Sequence, residues 1–453
     1  MKLNVLKLTI GRELPGFMRL APRTHEGAPA AVLTDEQALR RSVLACMLWE
    51  DEFYENGVTI AERIRALVPK VEAAKVAALA VEARTKMKLR HVPLLLVREM
   101  ARLPRHRALV AETLVQVIQR ADELAEFLAL YWAEGKQPLS GQVKKGLAAT
   151  FTRFDEYALA KYDRANAVRL RDVLFLCHAK PVDTAQAALW KRLIAGELAT
   201  PDTWEVALSA GGATGTDKRA SWERLLLERK LGALALLRNL RNMQEAGVDE
   251  ALVLTALDAM RTERVLPFRF LAAARYAPQW EDGLERAMFR AVADAEKLPG
   301  RTVLLVDVSG SMVAPLSRKS QMLRTDAAYG LAVLLREVAE KVVVYTFSGG
   351  AKRVAPRRGF ALRDAMETSM PHGGTNLGAA LAFVESEALR EPYDRIVVIT
   401  DEQSADRVPA PRGKGYMVNV ASAKNGVGYE KWTHIDGWSE AVIEYIRELE
   451  SAA

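Results

Sequence analysis

The chain has 453 residues, half of them hydrophobic and 27% charged, enough for two or three cores and without any apolar run near the roughly 20 residues of a membrane span. Two cysteines, Cys46 and Cys177, make neither a disulfide framework nor a zinc site by themselves, and MKLNVLKLTIGRELPGF lacks a leader-cleavage site, so a reducing, cytoplasmic setting without a signal peptide is expected. The net charge of +7 lies wholly in residues 1–300, with 45 Lys+Arg against 38 Asp+Glu, because residues 301–453 hold 19 of each; a polyanion would bind the N-terminal part.

After an N-terminal arm, residues 1–28, the pattern is helical from about Thr34 to Glu296. Leu39, Val43 and Met47, and Leu44 with Leu48, recur at the spacings of three and four that a buried helix face requires. The pattern returns in AERIRALV, VPLLLVREMARL, HRALVAETLVQVIQRADELAEFLALYW, QVKKGLAATFTRF and LGALALLRNLRNM. Breaks at Pro69, Pro93, Pro104, Pro138, Pro181, Pro201 and Gly211-Gly212 divide it into short hairpins. Many short helices without strand-like alternation predict a HEAT-type α-solenoid over residues 29–298, with a compact irregular helical domain as the alternative, since no strict repeat period is present. Trp49, Trp132, Tyr131 and Phe151 fall in helix patterns and are expected in the core.

At Leu298-Pro299-Gly300 the character changes. RTVLLVDV, KVVVYTF, DRIVVIT and GYMVNVA are short Val/Ile-bearing runs between helical stretches, the first of them near Met322–Val338. Such alternation predicts a doubly wound α/β domain over residues 299–453, its sheet covered on both faces.

The first of these strands ends in Asp307-Val308-Ser309-Gly310-Ser311-Met312, and DRIVVIT ends at Asp401. Between them lies His372-Gly373-Gly374-Thr375-Asn376, a turn that offers Thr375. Ligands of open parallel sheets sit beyond the carboxyl ends of strands. Asp307, Ser309, Ser311, Thr375 and Asp401 form a hard all-oxygen set suited to Mg²⁺ or another divalent cation. The bland alternative is that the serines and Asp401 only cap helices. The five residues match the metal-ion-dependent adhesion site of von Willebrand A domains, and that resemblance implies an open coordination position for a partner's carboxylate. His372 can tune the ion's surroundings or simply make the turn.

The whole arrangement resembles the Ro autoantigen family, a TROVE module of helical repeats followed by a von Willebrand A-like domain. The resemblance is carried by KYDRANAVRLRDVLFLCHAKP (Lys161–Pro181), LGALALLRNLRNM (Leu231–Met243), RVLPFRFLAA (Arg264–Ala273) and the DVSGSM, GGT and ITD segments. It implies a helical ring closed by the A-like domain, with small noncoding Y RNAs outside and single-stranded 3′ ends of misfolded RNAs in the central hole. It further implies an exoribonuclease partner such as polynucleotide phosphorylase. Lys161 and His178 fall where the family places Y RNA contacts. Ala165 departs from the pattern, the basic residue standing one earlier as Arg164, with Arg169 and Arg171 nearby.

Lys161 suits a phosphate and His178 a nucleotide; helix packing is the alternative for His178. A second basic cluster comprises Arg84, Lys86, Lys88, Arg90 and His91, then Arg98, Arg102, Arg105, His106 and Arg107, with a smaller one at Lys144 and Lys145. These are expected to contact RNA, against the alternative of a solvated helix face. No nucleophilic triad, P-loop or hydrolase metal spacing occurs. The expected function is a monomeric, noncatalytic RNA scaffold within a ribonucleoprotein, or alternatively a metal-dependent protein–protein adaptor that binds no RNA.

Overall fold

The computed structural model describes residues 33–45, 57–85, 89–163, 166–200, 204, 206, 217–262, 265, 267–316, 322–388, 391–421, 426–428, 431–436 and 441–451. The arm 1–28, Cys46, Met47, Leu48, Trp49, Lys86, Lys88, Arg164, Ala165, Pro201, Gly211, Gly212 and Arg264 lie outside them.

Short helices follow one another from Asp35–Ala45 to Glu281–Val292. Proline acts as a starter rather than only as a breaker. Pro93 stands in the first turn of Val92–Arg102, where its missing N–H removes no bond, and Pro104 opens the short turn Pro104–His106. The longest helical run of the sequence is two helices, Arg107–Val117 and Ala121–Tyr131, although neither proline nor glycine separates them. The break is made by side chains. Glu123 accepts the N–H groups of Gln119 and Arg120 at 2.8 and 3.2 Å, and Arg84 Nε donates to the Val117 carbonyl at 3.0 Å. Ends of two helices are thus satisfied in place of a continued ladder. Tyr131 and Phe151 are buried as expected, whereas Trp132 is half-buried, its indole N–H donating to Gln137 O at 2.8 Å.

The C-terminal part is a six-stranded sheet: β1 Leu298–Asp307, β2 Ala339–Phe347, β3 Ala351–Arg353, β4 Arg395–Thr400, β5 Lys414–Asn419 and β6 Thr433–Asp436, in the order β3-β2-β1-β4-β5-β6. Five strands are parallel and β3 is an antiparallel edge on β2, so the sheet is mixed. Alternate residues face opposite cores. Leu304, Val306, Val397, Ile399 and Val418 pack with helices Arg324–Val338 and Ala441–Ser451, while Val303, Leu305, Ile396, Val398 and Met417 pack with Leu377–Ala388. Burial on both faces explains the uninterrupted apolar strands. Strand order reverses at β1, which is flanked by β2 on one side and β4 on the other, and this opens the crevice beyond Asp307 and Thr400.

Residues from Leu39 to Leu193 share one core; those from Trp222 to Val292 share theirs with a face of the sheet domain. Helix Pro267–Tyr276 lies against Arg324–Val338, with Arg275 Nη1 2.6 Å from Asp326 Oδ2, and Glu285 accepts the Phe360 N–H at 2.8 Å. At the other end of the array, helix Asp35–Ala45 touches β6, and its Arg41 pairs with Glu402. Both ends of the described helical array therefore rest on the sheet domain. Gly426 makes the second junction possible: a Cβ there would collide with the Arg41 guanidinium and the Glu402 carboxylate.

Candidate functional site

Strand β1 delivers Asp307 to the crevice fully buried. Its Oδ1 accepts the Ser309 N–H at 2.9 Å, and its Oδ2 accepts the Thr400 hydroxyl at 2.6 Å. Ser309 precedes the short turn Gly310–Val313 but makes no side-chain cap; its hydroxyl lies 3.3 Å from that of Ser311. Asp401 follows β4 directly, is also fully buried, and opens a loop rather than a helix. The helix-cap alternative therefore has no counterpart at these residues.

The Thr375 turn is docked on the same loop. Gly310 N donates to Gly373 O at 2.9 Å, and the Thr375 carbonyl accepts from Ala405 N at 2.7 Å, so the buried Thr375 is carried on a turn tied to the loops that follow β1 and β4. His372 sits in that turn, its Nδ1–H donating to Val308 O at 2.6 Å. This hydrogen bond fixes the turn against the end of β1. Burial, reinforced by the charge of Asp401, pushes the Asp307 carboxyl up to about 7. Two buried carboxylates with hydroxyls beside them form a hard oxygen donor set, which fits Mg²⁺. Among the described residues no cluster of three or more His, Cys, Asp or Glu could hold a metal, so hydroxyls would complete the set. One residue was not foreseen: the buried Arg324, whose Nη1 lies 3.3 Å from Asp401 Oδ2.

A second grouping lies on the helical array. Helix Leu170–Cys177 ends at His178, exposed and left-handed at φ 55°, and its Nε2 is 3.5 Å from Lys144 Nζ. A side chain held there by backbone geometry at the surface is not a packing histidine. Lys161 stands in the last turn of helix Glu156–Tyr162, its ammonium 5.8 Å above the Tyr157 ring. Lys145, Arg169 and Arg171 are exposed, and Arg171 makes only a 3.9 Å approach to Asp172. Two exposed aromatics, Tyr157 at 50% and Phe175 at 58%, share these short helices. Neither ring is singled out by the sequence pattern, since Tyr157 and Phe175 read there as ordinary helix residues.

The larger basic cluster requires correction. Arg84 is buried and spends its donors on Glu123 at 2.6 Å and on carbonyls, while Arg90 is shared among Asp122, Glu123 and Glu126. Arg98 is fully buried against Glu99 and Glu134, Arg102 reaches Glu134 at 2.8 Å, and His106 is buried. These arginines bind helices to one another and are not a phosphate face; in this cluster Arg105 and Arg107 are exposed. Sequence reasoning also missed a cleft of about 420 Å³ lined by Arg238, Arg241, Asn242, Arg269 and Tyr276. Burial and the neighbouring Arg238 charge hold the Arg269 guanidinium below the ordinary arginine value, and Arg241 lies 6.0 Å over the Tyr276 ring.

Comparison with known proteins identifies a TROVE domain over residues 184–315 and a von Willebrand factor type A domain over residues 302–403. The fold is similar to that of the Ro (RSR) protein of Deinococcus radiodurans, with a TM-score of 0.59 and 20% identity over 90% of this chain and 98% of that one. A stretch of 125 residues is 33% identical to telomerase protein component 1 of Rattus norvegicus and 32% identical to that of Mus musculus. The match covers 26% of this chain and 4% of those relatives, so it concerns one shared region. Among the described residues, no helix is long and apolar enough to cross a membrane.

Proposed function

We propose that this chain, a TROVE domain joined to a von Willebrand factor type A domain on the fold of a Ro protein, is a noncoding-RNA-binding protein. It holds RNA on its helical array and presents it for quality control, maturation or decay without cutting it. The carrying observation is the basic set Lys144, Lys161, His178, Arg169 and Arg171, exposed or half-buried, together with the exposed rings of Tyr157 and Phe175, in the part of the chain that bears the whole net charge. Lysines and arginines supply phosphate contacts, and exposed rings supply stacking for unpaired bases. The ligands of this reading are a Y RNA-like structured RNA and the single-stranded 3′ ends of misfolded RNA. Its partner is an exoribonuclease such as polynucleotide phosphorylase, its setting the cytoplasm, and the protein itself a monomer in the ribonucleoprotein. Mg²⁺, held by Asp307, Ser309, Ser311, Thr375 and Asp401, supplies a Lewis-acidic docking point and consolidates the strand ends.

Fluorescence anisotropy with a folded, single-strand-tailed RNA tests this directly. Binding should weaken steeply between about 50 and 200 mM salt, as release of counterions from several phosphates requires. No binding at the lower salt would refute the reading, and shortening of the RNA by pure protein in Mg²⁺ would replace it with a nuclease. A metal-dependent adaptor without RNA is favoured by one observation, the buried carboxylate pair at the open end of the sheet. That function would appear as EDTA-sensitive capture of an acidic peptide by protein that ignores RNA.

A further inference from the structure

Arg324 begins the helix Arg324–Val338, and it is placed there by a clamp on the chain that follows Ser311. Its N–H donates to Ala314 O at 3.0 Å, Leu316 N donates to Met322 O at 2.8 Å, and Pro315 pairs with Leu323 in an antiparallel bridge. Asp326 fixes the helix start from the other side, accepting Leu323 N at 2.7 Å while holding Arg275 of the helical array at 2.6 Å. The guanidinium is 1% exposed and reaches Asp401 Oδ2 at 3.3 Å and the Ser311 carbonyl at 3.5 Å. Two of the five residues that the adhesion-type motif offers a cation already touch a cation of the chain itself.

An arginine keeps its charge at every pH the protein meets. Buried charge is tolerated only when paired, so Asp307 and Asp401, when ionised, call for positive charge beside them. With Arg324 in contact the two ionised carboxylates and the guanidinium sum to −1; with a divalent ion as well they sum to +1. The first state stands without an ion, and the second has an excess that suits an incoming carboxylate.

We propose that Arg324 is a tethered counter-ion at Asp401, which a divalent cation must displace from that carboxylate in order to load the site. The domain thereby has an arginine-closed and a metal-loaded state, and its affinity for the ion is weaker than five oxygen ligands alone would give. This inference rests on the metal reading of the motif, and its test separates the two.

The measurement is Mn²⁺ affinity of the full chain, by titration calorimetry, for the wild type, Arg324→Gln and Asp401→Asn, with melting in EDTA as the check on folding. Removing the competing charge should tighten Mn²⁺ binding by about tenfold or more in Arg324→Gln, although the same protein melts lower in EDTA because Asp401 has lost its partner. Equal or weaker Mn²⁺ binding by a folded Arg324→Gln would overturn the proposal and make Arg324 a positioning residue for Asp401. Failure of the wild type and Arg324→Gln to take up Mn²⁺ at millimolar concentration would overturn the metal reading itself. Should Arg324→Gln not fold, labelled-arginine NMR of the wild type decides, with Arg324→Lys used for assignment. The Arg324 guanidinium protons should lose protection when Mg²⁺ is added, and an unchanged signal speaks against displacement.

Discussion

Arg41, in the first described helix, and Glu402, the residue after Asp401, form an ion pair 361 residues apart in sequence, and neither side chain reaches solvent. His434 Nδ1 also lies 2.7 Å from Glu402. The pair joins the start of the helical array to the end of β4, and its removal on one side leaves a buried charge. Breaking such a pair costs about 3–5 kcal/mol. Arg41→Ala is therefore expected to lower stability by that order and to expose the seam to hydrogen exchange. Arg41→Met with Glu402→Gln should recover much of the loss, because no unpaired charge remains. A single variant as stable as the wild type would mean that the seam carries no tension between the two parts.

The strand ends hold Asp401 close enough to Asp307 for its charge to oppose the ionisation of Asp307. Asp307→Asn keeps an acceptor for Ser309 N and a polar partner for Thr400 while it removes one of the two like charges. In EDTA it should melt about 2–4 °C higher than the wild type, the shift that roughly 1 kcal/mol produces in a domain of this size. Mg²⁺ should raise the melting point of the wild type and leave the variant unmoved. A variant still raised equally by Mg²⁺ would show that the ion sits elsewhere.

What the sequence made legible, and what it hid, follows from distance along the chain. Asp307, Ser309 and Ser311 are local, and the apolar strands that carry Asp307 and Asp401 announce where their ends lie. Arg324 was hidden because its carboxylate is 77 residues away, and Glu402 because its arginine is in another part of the molecule. The run from Arg84 to Arg107 reads as a phosphate face for the same reason. Arg84 and Arg102 are neutralised by Glu123 and Glu134, which stand 39 and 32 residues later on the adjoining helix and its exit. The helix break before Ala121 was equally invisible, since side chains rather than proline or glycine make it.

Glu134 gives that internal network a pH signature. Partial burial raises its carboxyl, but the hydrogen bonds and charges of Arg98 and Arg102 outweigh burial and hold it at about 2, against 4.5 for the free side chain. Between these values the unfolded chain binds the proton and the native chain does not, so this contribution is present above pH 4.5 and is lost as pH falls toward 2. Glu134→Gln should flatten the acid limb of a melting-temperature profile in that window. The effect is modest because the side chain is half exposed and screened. Profiles of equal slope would contradict the pairing.

The side chains proposed to meet RNA lie outside the hydrophobic core and contribute little to the fold. Lys144, Lys161 and His178 are exposed or half-exposed and make no ion pair among the described residues; their closest polar contact is the 3.5 Å approach of Lys144 to His178. Replacing all three by alanine should move the melting point by no more than about 3 °C, since each surface change of this kind stays within roughly 0.5 kcal/mol. The same variant should weaken binding of a folded RNA about tenfold or more and reduce the salt slope by roughly one for each phosphate that is no longer neutralised. Phe175→Ala should act differently: a loss of about 1–3 kcal/mol on an RNA with unpaired bases, with the salt slope unchanged, because stacking releases no counterions. Arg90→Ala is the control, expected to lower the melting point and spare RNA affinity, since its partners are Asp122, Glu123 and Glu126. If Arg90→Ala abolished binding while the triple variant bound normally, the RNA face would lie on the other side of the array.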